Sequence, residues 1–118
     1  MFAPKARGWV QDCKEVGLDV LVYCTLRSDA EQDELYAQGR TKPGRIVTYA
    51  KAGQSAHNYG LALDFVPLIN GKPDWRAGSD AYVHAIQLAQ ARGMESAAMW
   101  KKFKEYPHLQ QPFWRTHL

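Results

Sequence analysis

The stretch from Leu61 to Val66 reads Leu-Ala-Leu-Asp-Phe-Val, with Asp64 as its one charged residue. Apolar residues in this pattern predict a strand, in which alternate side chains point to opposite faces of a sheet. A carboxylate that is buried without a partner costs several kcal/mol, about the stability of a small domain. The fold must therefore give Asp64 an arginine, a backbone donor or a metal ion as its partner.

The composition is that of one globular domain. The chain has 118 residues, of which 46% are apolar and 23% are charged, and this length allows a closed hydrophobic core. Helical and extended patterns alternate without repeats or linkers. We therefore expect a small single domain over residues 1–118, of the α+β class, with an antiparallel sheet and flanking helices.

Three segments have the pattern of helices, and three have the pattern of strands, besides one short strand inside a loop. The predicted helices are Trp9–Val16, a helix that starts at the capping box Ser28–Glu31 and runs to about Gln38, and Ser79–Gly93. The predicted strands are Asp19–Thr25, Leu61–Val66 and Lys72–Trp75, the last two joined by an Asn70-Gly71 turn. Residues 40–59 are predicted to form a long loop with a short strand at Ile46–Thr48, and such loops are usually functional.

Charge and hydropathy limit the classes of partner that we expect for this chain. The formal charge of +3 would favour any polyanion, including nucleic acid or an anionic cell wall. We interpret the basic run Lys101–Lys104 as a solvated surface that favours the wall, and expect no nucleic-acid partner, because no binding motif accompanies the run. Uncharged runs such as Phe65–Gly71 are too short to cross a bilayer, so we expect no membrane insertion. Cys13 and Cys24 lack metal-ligand spacing and are expected to be buried thiols.

Two histidine–carboxylate pairs are the candidates for chemistry. His57 precedes Asp64 by seven residues, and Glu105 precedes His108 by three. Two imidazoles and one carboxylate suit a catalytic zinc ion, which keeps its fourth position for water. Spacing alone leaves other interpretations open: an isolated histidine is more often a surface or core residue, Asp64 could pair with an arginine, and Glu105 could belong to a solvated charged face.

Two ordered motifs resemble those of a known family. Ser55–Asp64 fits the pattern Ser-x-His-x-x-Gly-x-Ala-x-Asp, and Glu105–His108 fits a second motif with an acidic residue three positions before a histidine. On these motifs the chain resembles the zinc peptidases of the Hedgehog/D-Ala-D-Ala peptidase superfamily. The stretch from Leu26 to Phe65 is also similar to phage endolysins that are L-alanyl-D-glutamate endopeptidases.

The resemblance implies both the fold and the metal site. It implies a Hedgehog/DD-peptidase-like domain in which His57, Asp64 and His108 bind one zinc ion. Glu105 would then act as a general base and afterwards as a general acid.

The resemblance also implies a set of residues that handle the substrate. Arg27 would be catalytic and substrate-binding, pairing with a substrate carboxylate or with the oxyanion, and its planar fork of donors suits that role. Gln32 and Ser55 match positions that line the substrate cleft.

Two departures from the family pattern stand out. The acidic residue of the second motif is Glu105, as in the carboxypeptidase branches, whereas endolysins more often have Asp. The family usually has Trp-Gly-Gly-Asp-Trp before this motif, but this chain has Ser-Ala-Ala-Met-Trp at residues 96–100, where Trp100 alone matches. We expect this change to reshape one wall of the cleft.

The resemblance implies a zinc-dependent peptidoglycan peptidase, a phage or prophage endolysin that hydrolyses the L-Ala–D-Glu bond of the stem peptide. We expect a monomer whose partner is bacterial peptidoglycan. It would be made in the host cytoplasm without a signal peptide and would act on the wall after release. Two alternatives are a D-Ala-D-Ala carboxypeptidase, favoured by Glu105 and the altered segment, and a non-catalytic zinc-stabilised wall-binding module.

Overall fold

Helices and an antiparallel sheet form the part of the chain that the computed structural model describes, residues 2–100 and 105–117. The helices are α1 (Phe2–Glu15), α2 (Asp29–Ala37) and α3 (Asp80–Ala91). The strands are β1 (Asp19–Cys24), β2 (Ala62–Ile69), β3 (Lys72–Pro73), β4 (Glu95–Ser96) and β5 (His108–Gln110). The predicted α+β class is confirmed, and the basic run 101–104 lies outside the described residues.

Strand β2 is the centre of the sheet. The strand order is β1-β2-β5-β4, and the short β3 pairs with the far end of β2 through the predicted Asn70-Gly71 turn. Asp64 of β2 lies opposite His108 of β5 on one side and opposite Cys24 of β1 on the other. Residues opposite each other in an antiparallel pair share a face, so these three side chains form a row across the sheet.

A bulge in β1 completes that row. The register shifts between Val22, which is opposite Phe65, and Cys24, which is opposite Asp64. Tyr23 is the extra residue. Bulges of this kind redirect a side chain next to a functional site, and here the bulge brings the Cys24 thiol to the Asp64 face.

The core lies between the opposite face of β2 and the helices α1 and α3. The Trp9 side chain is fully buried, meets the Phe65 ring edge-to-face at 4.9 Å and donates its indole N–H to the Ala85 carbonyl oxygen at 2.8 Å. The predicted buried face of α3 is confirmed, at Tyr82, Ile86 and Ala89. This packing holds β2 rigidly from behind and leaves the Asp64 face free for a cleft.

Helix α1 is longer than predicted. It begins at Phe2 rather than at Trp9. Pro4 lies in the first turn, where a helix needs no amide donor, so it does not delay the start. Phe2 is buried with Trp9 on the same side of the helix, and their burial stabilises the additional turns.

Two predicted extended segments are wrong in whole or in part. No strand forms at Ile46–Thr48, where side chains instead of a neighbouring strand bond two carbonyl oxygens: Gln38 donates to that of Arg45, and Arg40 donates to that of Thr48. Strand β3 ends at Pro73 instead of reaching Trp75. The Asp74 backbone N–H still donates to the Pro67 carbonyl oxygen of β2 at 2.8 Å, but the Asp74 carboxylate accepts from the backbone and the guanidinium of Arg76, a local turn that replaces further pairing. None of the described helices is both long and apolar enough to cross a membrane.

We expect the loss of the buried Trp9 side chain to destabilise the protein much more than the loss of an exposed tryptophan. Trp9→Ala should lower the free energy of unfolding by about 3–5 kcal/mol, because it leaves a large cavity behind β2. Trp75, which is 58% exposed, is the matched control, and Trp75→Ala should cost less than about 1 kcal/mol. Urea denaturation followed by circular dichroism measures both values, and equal losses would contradict the described core.

Candidate active site

A cleft of about 640 Å³ opens on the Asp64 face of the sheet. The predicted residues Arg27, Ser55, His57, Asp64, Glu105 and His108 all contribute to its lining. A second cleft of about 350 Å³ shares Asp64 and Glu105 with the first and contains the exposed rings of Tyr23 and Trp75. The carboxylate pair therefore lies where two depressions of the surface meet.

Three ligand atoms converge at the floor of the larger cleft. His57 Nε2 is 3.2 Å from Asp64 Oδ1 and 3.2 Å from His108 Nδ1, and His108 Nδ1 is 3.4 Å from Asp64 Oδ1. Both imidazoles are buried, with 1% exposure for His57 and 7% for His108. Residues from three separate parts of the chain thus present their polar atoms to one point.

A short 3₁₀ turn, Ala56–Tyr59, positions His57. The Ser55 hydroxyl caps this turn by accepting the His57 backbone N–H, and Gly60 ends it in the left-handed conformation, with φ of 69°. The ring Nδ1 lies 2.7 Å from the Thr25 carbonyl oxygen, which only accepts, so Nδ1 carries the proton. The Nε2 lone pair is consequently left to face Asp64.

His108 is oriented in the opposite sense. It lies on β5 directly across from Asp64, and its Nε2 donates to Gln110 Oε1 at 2.8 Å. Its Nδ1 is therefore the ring atom that faces the cluster. One histidine presents Nε2 and the other presents Nδ1, and in both a hydrogen bond on the far side of the ring sets the orientation.

The donor set and its spacing fit a metal ion. A tetrahedral zinc ion with bonds of about 2.0–2.1 Å separates its ligand atoms by about 3.3–3.4 Å, and the triangle described above has edges of 3.2, 3.2 and 3.4 Å. Cys24, His57 and Asp64 form another group of suitable composition. Cys24 Sγ, however, lies 3.8 Å from His57 Nδ1, the atom that already bonds to Thr25, so the set with His108 fits better.

Electrostatics favour a cation at this point. Burial raises the pKa of the Asp64 carboxyl, but its contacts with the His108 and His57 rings lower it by more, so the pKa lies well below its ordinary value. Burial lowers the pKa of the His108 ring, yet Asp64, Gln110 and Glu105 raise it above its ordinary value. The cluster is thus a partly buried, ionised carboxylate beside two imidazoles that can bind a proton or a metal ion.

Arg27 is the second partner of Asp64. Its Nη2 lies 3.4 Å from Asp64 Oδ2, and its side chain is 13% exposed. The backbone N–H of Arg27 donates to the His57 carbonyl oxygen at 2.8 Å, which ties the strand-to-helix corner to the 3₁₀ turn. The guanidinium therefore lies beside the cluster of His57, Asp64 and His108 and lines the cleft.

Gln32 lies behind Arg27 rather than on the cleft wall. Its side chain is fully buried. Its Oε1 accepts from Arg27 Nη1 at 2.8 Å, and its Nε2 donates to the Ala50 carbonyl oxygen at 2.6 Å. Gln32 is not among the residues that line the cleft, and both ends of its amide are engaged within the protein, so its contact with a substrate stays a prediction. Its contacts instead orient the guanidinium and hold the long loop.

Glu105 lines the same cleft beside His108 and is half-buried. Its backbone N–H donates to the Ala97 carbonyl oxygen at 3.2 Å. Burial raises the pKa of its carboxyl, and the charge of Asp64 adds to this, while His108 and Arg27 act in the opposite direction. The net pKa lies above its ordinary value, which suits a group that accepts and returns a proton.

The segment that departs from the family pattern still supports the cleft. Ser96 is buried in β4, and its hydroxyl caps a 3₁₀ turn by accepting the Ala98 N–H at 3.1 Å. Ala97 and Ala98 are buried, so methyl groups fill the positions of the usual glycines, while Met99 is 63% exposed. Trp100 lines the cleft with its ring 5.5 Å from that of His108.

Several site residues escaped the sequence analysis. Gln110 lies two residues after His108 on one strand face, a spacing of two that could have revealed it. Cys24 reaches the site only through the bulge in β1, for which the sequence gives no signal. Trp114 and Arg115 also line the cleft, but they follow β5, a three-residue strand too short to predict.

We expect removal of the buried Gln32 amide to lower the stability of the fold. Gln32→Leu leaves an Arg27 N–H group and the Ala50 carbonyl oxygen without their partner, which should cost about 1–3 kcal/mol. Gln87→Leu, at an exposed position on α3, is the control and should be nearly neutral. Urea denaturation compares the two variants, and a neutral Gln32→Leu would contradict the described contacts.

Known proteins resemble this chain in both sequence and structure. A peptidase M15 family described as D-alanyl-D-alanine carboxypeptidase matches residues 48–111. The peptidoglycan L-alanyl-D-glutamate endopeptidase CwlK of Bacillus subtilis is 45% identical over 109 residues, an alignment that covers 80% of this chain and 61% of that protein. The chain therefore spans about three fifths of the length of this relative.

Solved structures agree with the fold. The L-Ala D-Glu endopeptidase ChiX of Serratia marcescens has a TM-score of 0.65 at 25% identity, covering 85% of this chain and 71% of that one. The LD-carboxypeptidase LdcB has a TM-score of 0.69 at 20% identity, covering 98% and 69% respectively. The sequence motifs, the fold and these matches lead to one conclusion: the chain belongs to the peptidase M15 family.

Proposed function

We propose that this protein is a zinc-dependent peptidoglycan peptidase that hydrolyses the L-Ala–D-Glu bond of the stem peptide. The proposal rests on one observation: the atoms His57 Nε2, Asp64 Oδ1 and His108 Nδ1 lie within 3.4 Å of one another in an open cleft. The names of CwlK and ChiX, both L-Ala–D-Glu endopeptidases, support the choice of bond.

The three converging residues would hold the zinc ion. A zinc ion bound there supplies a Lewis acid and lowers the pKa of a water molecule. The contribution of the chain is a fixed geometry, because Thr25 and Gln110 prevent either ring from turning. It also contributes a carboxylate, Asp64, which stays ionised although it is largely shielded from water.

Glu105 is the proposed proton carrier. Its carboxyl lines the cleft next to the cluster without belonging to it. It accepts a proton from the attacking water and returns this proton to the departing amine. Burial is the main cause of its raised pKa, and a carboxyl with a raised pKa is a better acceptor for the proton that it later returns.

Arg27 is the proposed partner of negative charge on the substrate. Its guanidinium lines the cleft and is held from behind by Gln32. A fork of N–H donors at this point either binds a carboxylate of the D-Glu residue or offsets the charge that develops on the scissile carbonyl oxygen. Arg115 on the same cleft adds a second positive group, which agrees with an acidic substrate.

A second candidate function is removal of the terminal D-alanine. It is favoured by the description of the matching family as D-alanyl-D-alanine carboxypeptidase, and Arg27 could equally bind a terminal carboxylate. The two reactions give different products, since the endopeptidase creates a new N-terminal D-Glu and the carboxypeptidase releases free D-alanine. The phage origin and the release from a host cytoplasm stay predictions.

Digestion of purified cell wall with the zinc-loaded protein tests the proposal. Mass spectrometry should detect new N-terminal D-Glu, and a chelator should abolish it. Intact stem peptides after digestion would refute the proposal, and free D-alanine without stem cleavage would favour the carboxypeptidase.

Removal of the Glu105 carboxylate should abolish most of the activity while leaving the metal in place. We expect Glu105→Gln to lower kcat by about a hundred- to ten-thousand-fold, because proton transfer is lost. Its zinc content should equal that of the wild type. Glu15→Gln, at an exposed position at the end of α1, is the matched control. If Glu105→Gln retained full activity, the role of Glu105 would be excluded. If the wild-type protein and the variant were both inactive, the non-catalytic wall-binding module would remain.

A further inference from the structure

A chain of hydrogen bonds runs from His108 to the opposite edge of the sheet. His108 Nε2 is 2.8 Å from Gln110 Oε1, and Gln110 Nε2 donates to Glu95 Oε1 at 2.5 Å. Gln110 is 8% exposed, and it lies opposite Glu95 in the β4–β5 ladder. The chain therefore consists of neighbours on one face of the sheet, in a place where water competes little.

Glu95 determines which end of the Gln110 amide faces His108. A carboxylate only accepts hydrogen bonds, so the NH₂ group of the amide must turn towards Glu95. The reversed amide would bring two oxygen atoms within about 2.5 Å of each other, since that is the present distance between the paired atoms. Gln110 can thus offer His108 only its carbonyl oxygen.

The Gln110 oxygen in turn determines which ring atom of His108 carries a proton. A carbonyl oxygen accepts, so Nε2 must be the protonated atom. Nδ1 then faces His57 Nε2 at 3.2 Å and Asp64 Oδ1 at 3.4 Å with its lone pair available to a metal. With the opposite amide orientation, Nδ1 would carry the proton and could not bind.

We propose that Gln110 and Glu95 are positioning residues that fix the ring orientation and the tautomer of His108, so that Nδ1 is its metal-binding atom. This inference rests on the metal site of the proposed function. Hydrogen-bond partners of this kind typically change metal affinity by about 10–100-fold when they are removed. Gln110 lines the cleft beside His108, and Glu95 lies behind Gln110, so both residues act on the metal through His108.

Zinc affinity and the ring spectrum of His108 test the proposal. Competition with a chromophoric chelator gives the dissociation constant for zinc, and long-range ¹H–¹⁵N NMR of the zinc-loaded protein identifies the protonated ring nitrogen. We expect a protonated Nε2 in the wild type. Gln110→Leu should raise the dissociation constant by about 10–100-fold and alter the His108 ring signals while sparing those of His84, which is exposed on α3.

The exchange variant Glu95→Gln/Gln110→Glu is the matched control. It keeps the number of charges and reverses the roles, because a carboxylate at 110 accepts from His108 and an amide at 95 donates to it. Its zinc affinity and ring spectrum should stay near those of the wild type. A loss as large as that of Gln110→Leu would overturn the proposal, and so would an unchanged affinity and spectrum in Gln110→Leu.

Glu95→Leu provides the test if Gln110→Leu does not fold. It removes the group that orients the amide but leaves Gln110 in place, so zinc affinity should fall and the His108 ring signals should change. Unchanged values would overturn the proposal. A wild-type protein that binds no zinc would refute the metal site as well, whereas a zinc-binding wild type with indifferent variants would refute this inference alone.

Discussion

The partly buried carboxylate of Asp64 is the constraint on which the arrangement of the site depends. It lies in the middle of β2 with the hydrophobic core directly behind it, so its charge must be balanced within the cleft. The chain supplies that balance from three directions: Arg27 from the β1–α2 corner, His57 from the 3₁₀ turn and His108 from β5. A position that would destabilise an ordinary strand becomes the point where separate parts of the chain meet.

Each group around Asp64 is in turn fixed by a less conspicuous contact. Thr25 holds the His57 ring, Gln110 holds the His108 ring, and Gln32 holds the Arg27 guanidinium. Orientation by such supporting contacts matters because a metal ligand or a charge partner works only within a narrow range of geometry. The cleft therefore combines a rigid floor, built on the sheet, with walls from the loop and from the segment around Trp100.

The sequence was sufficient to predict those elements whose cause lies in residues close together along the chain. The capping box at Ser28, the Asn70-Gly71 turn and the buried face of α3 each have a local cause, and all were confirmed. The features that were missed depend on partners distant in the chain. The two-residue strand β4 exists because β5 lies beside it, the bulge in β1 has no sequence signal, and burial of Gln32 depends on the path of the loop at Ala50. Pattern and motif identified which residues converge, but only the fold shows what orients them.

The proposed metal site holds one zinc ion between two imidazoles and a carboxylate, and Cys24 is not among its ligands. X-ray absorption spectroscopy at the zinc edge of the loaded protein tests this most directly. We expect a shell of nitrogen and oxygen atoms at about 2.0–2.1 Å, with scattering from two imidazole rings. A sulfur atom at about 2.3 Å would contradict it, since that distance identifies a thiolate ligand.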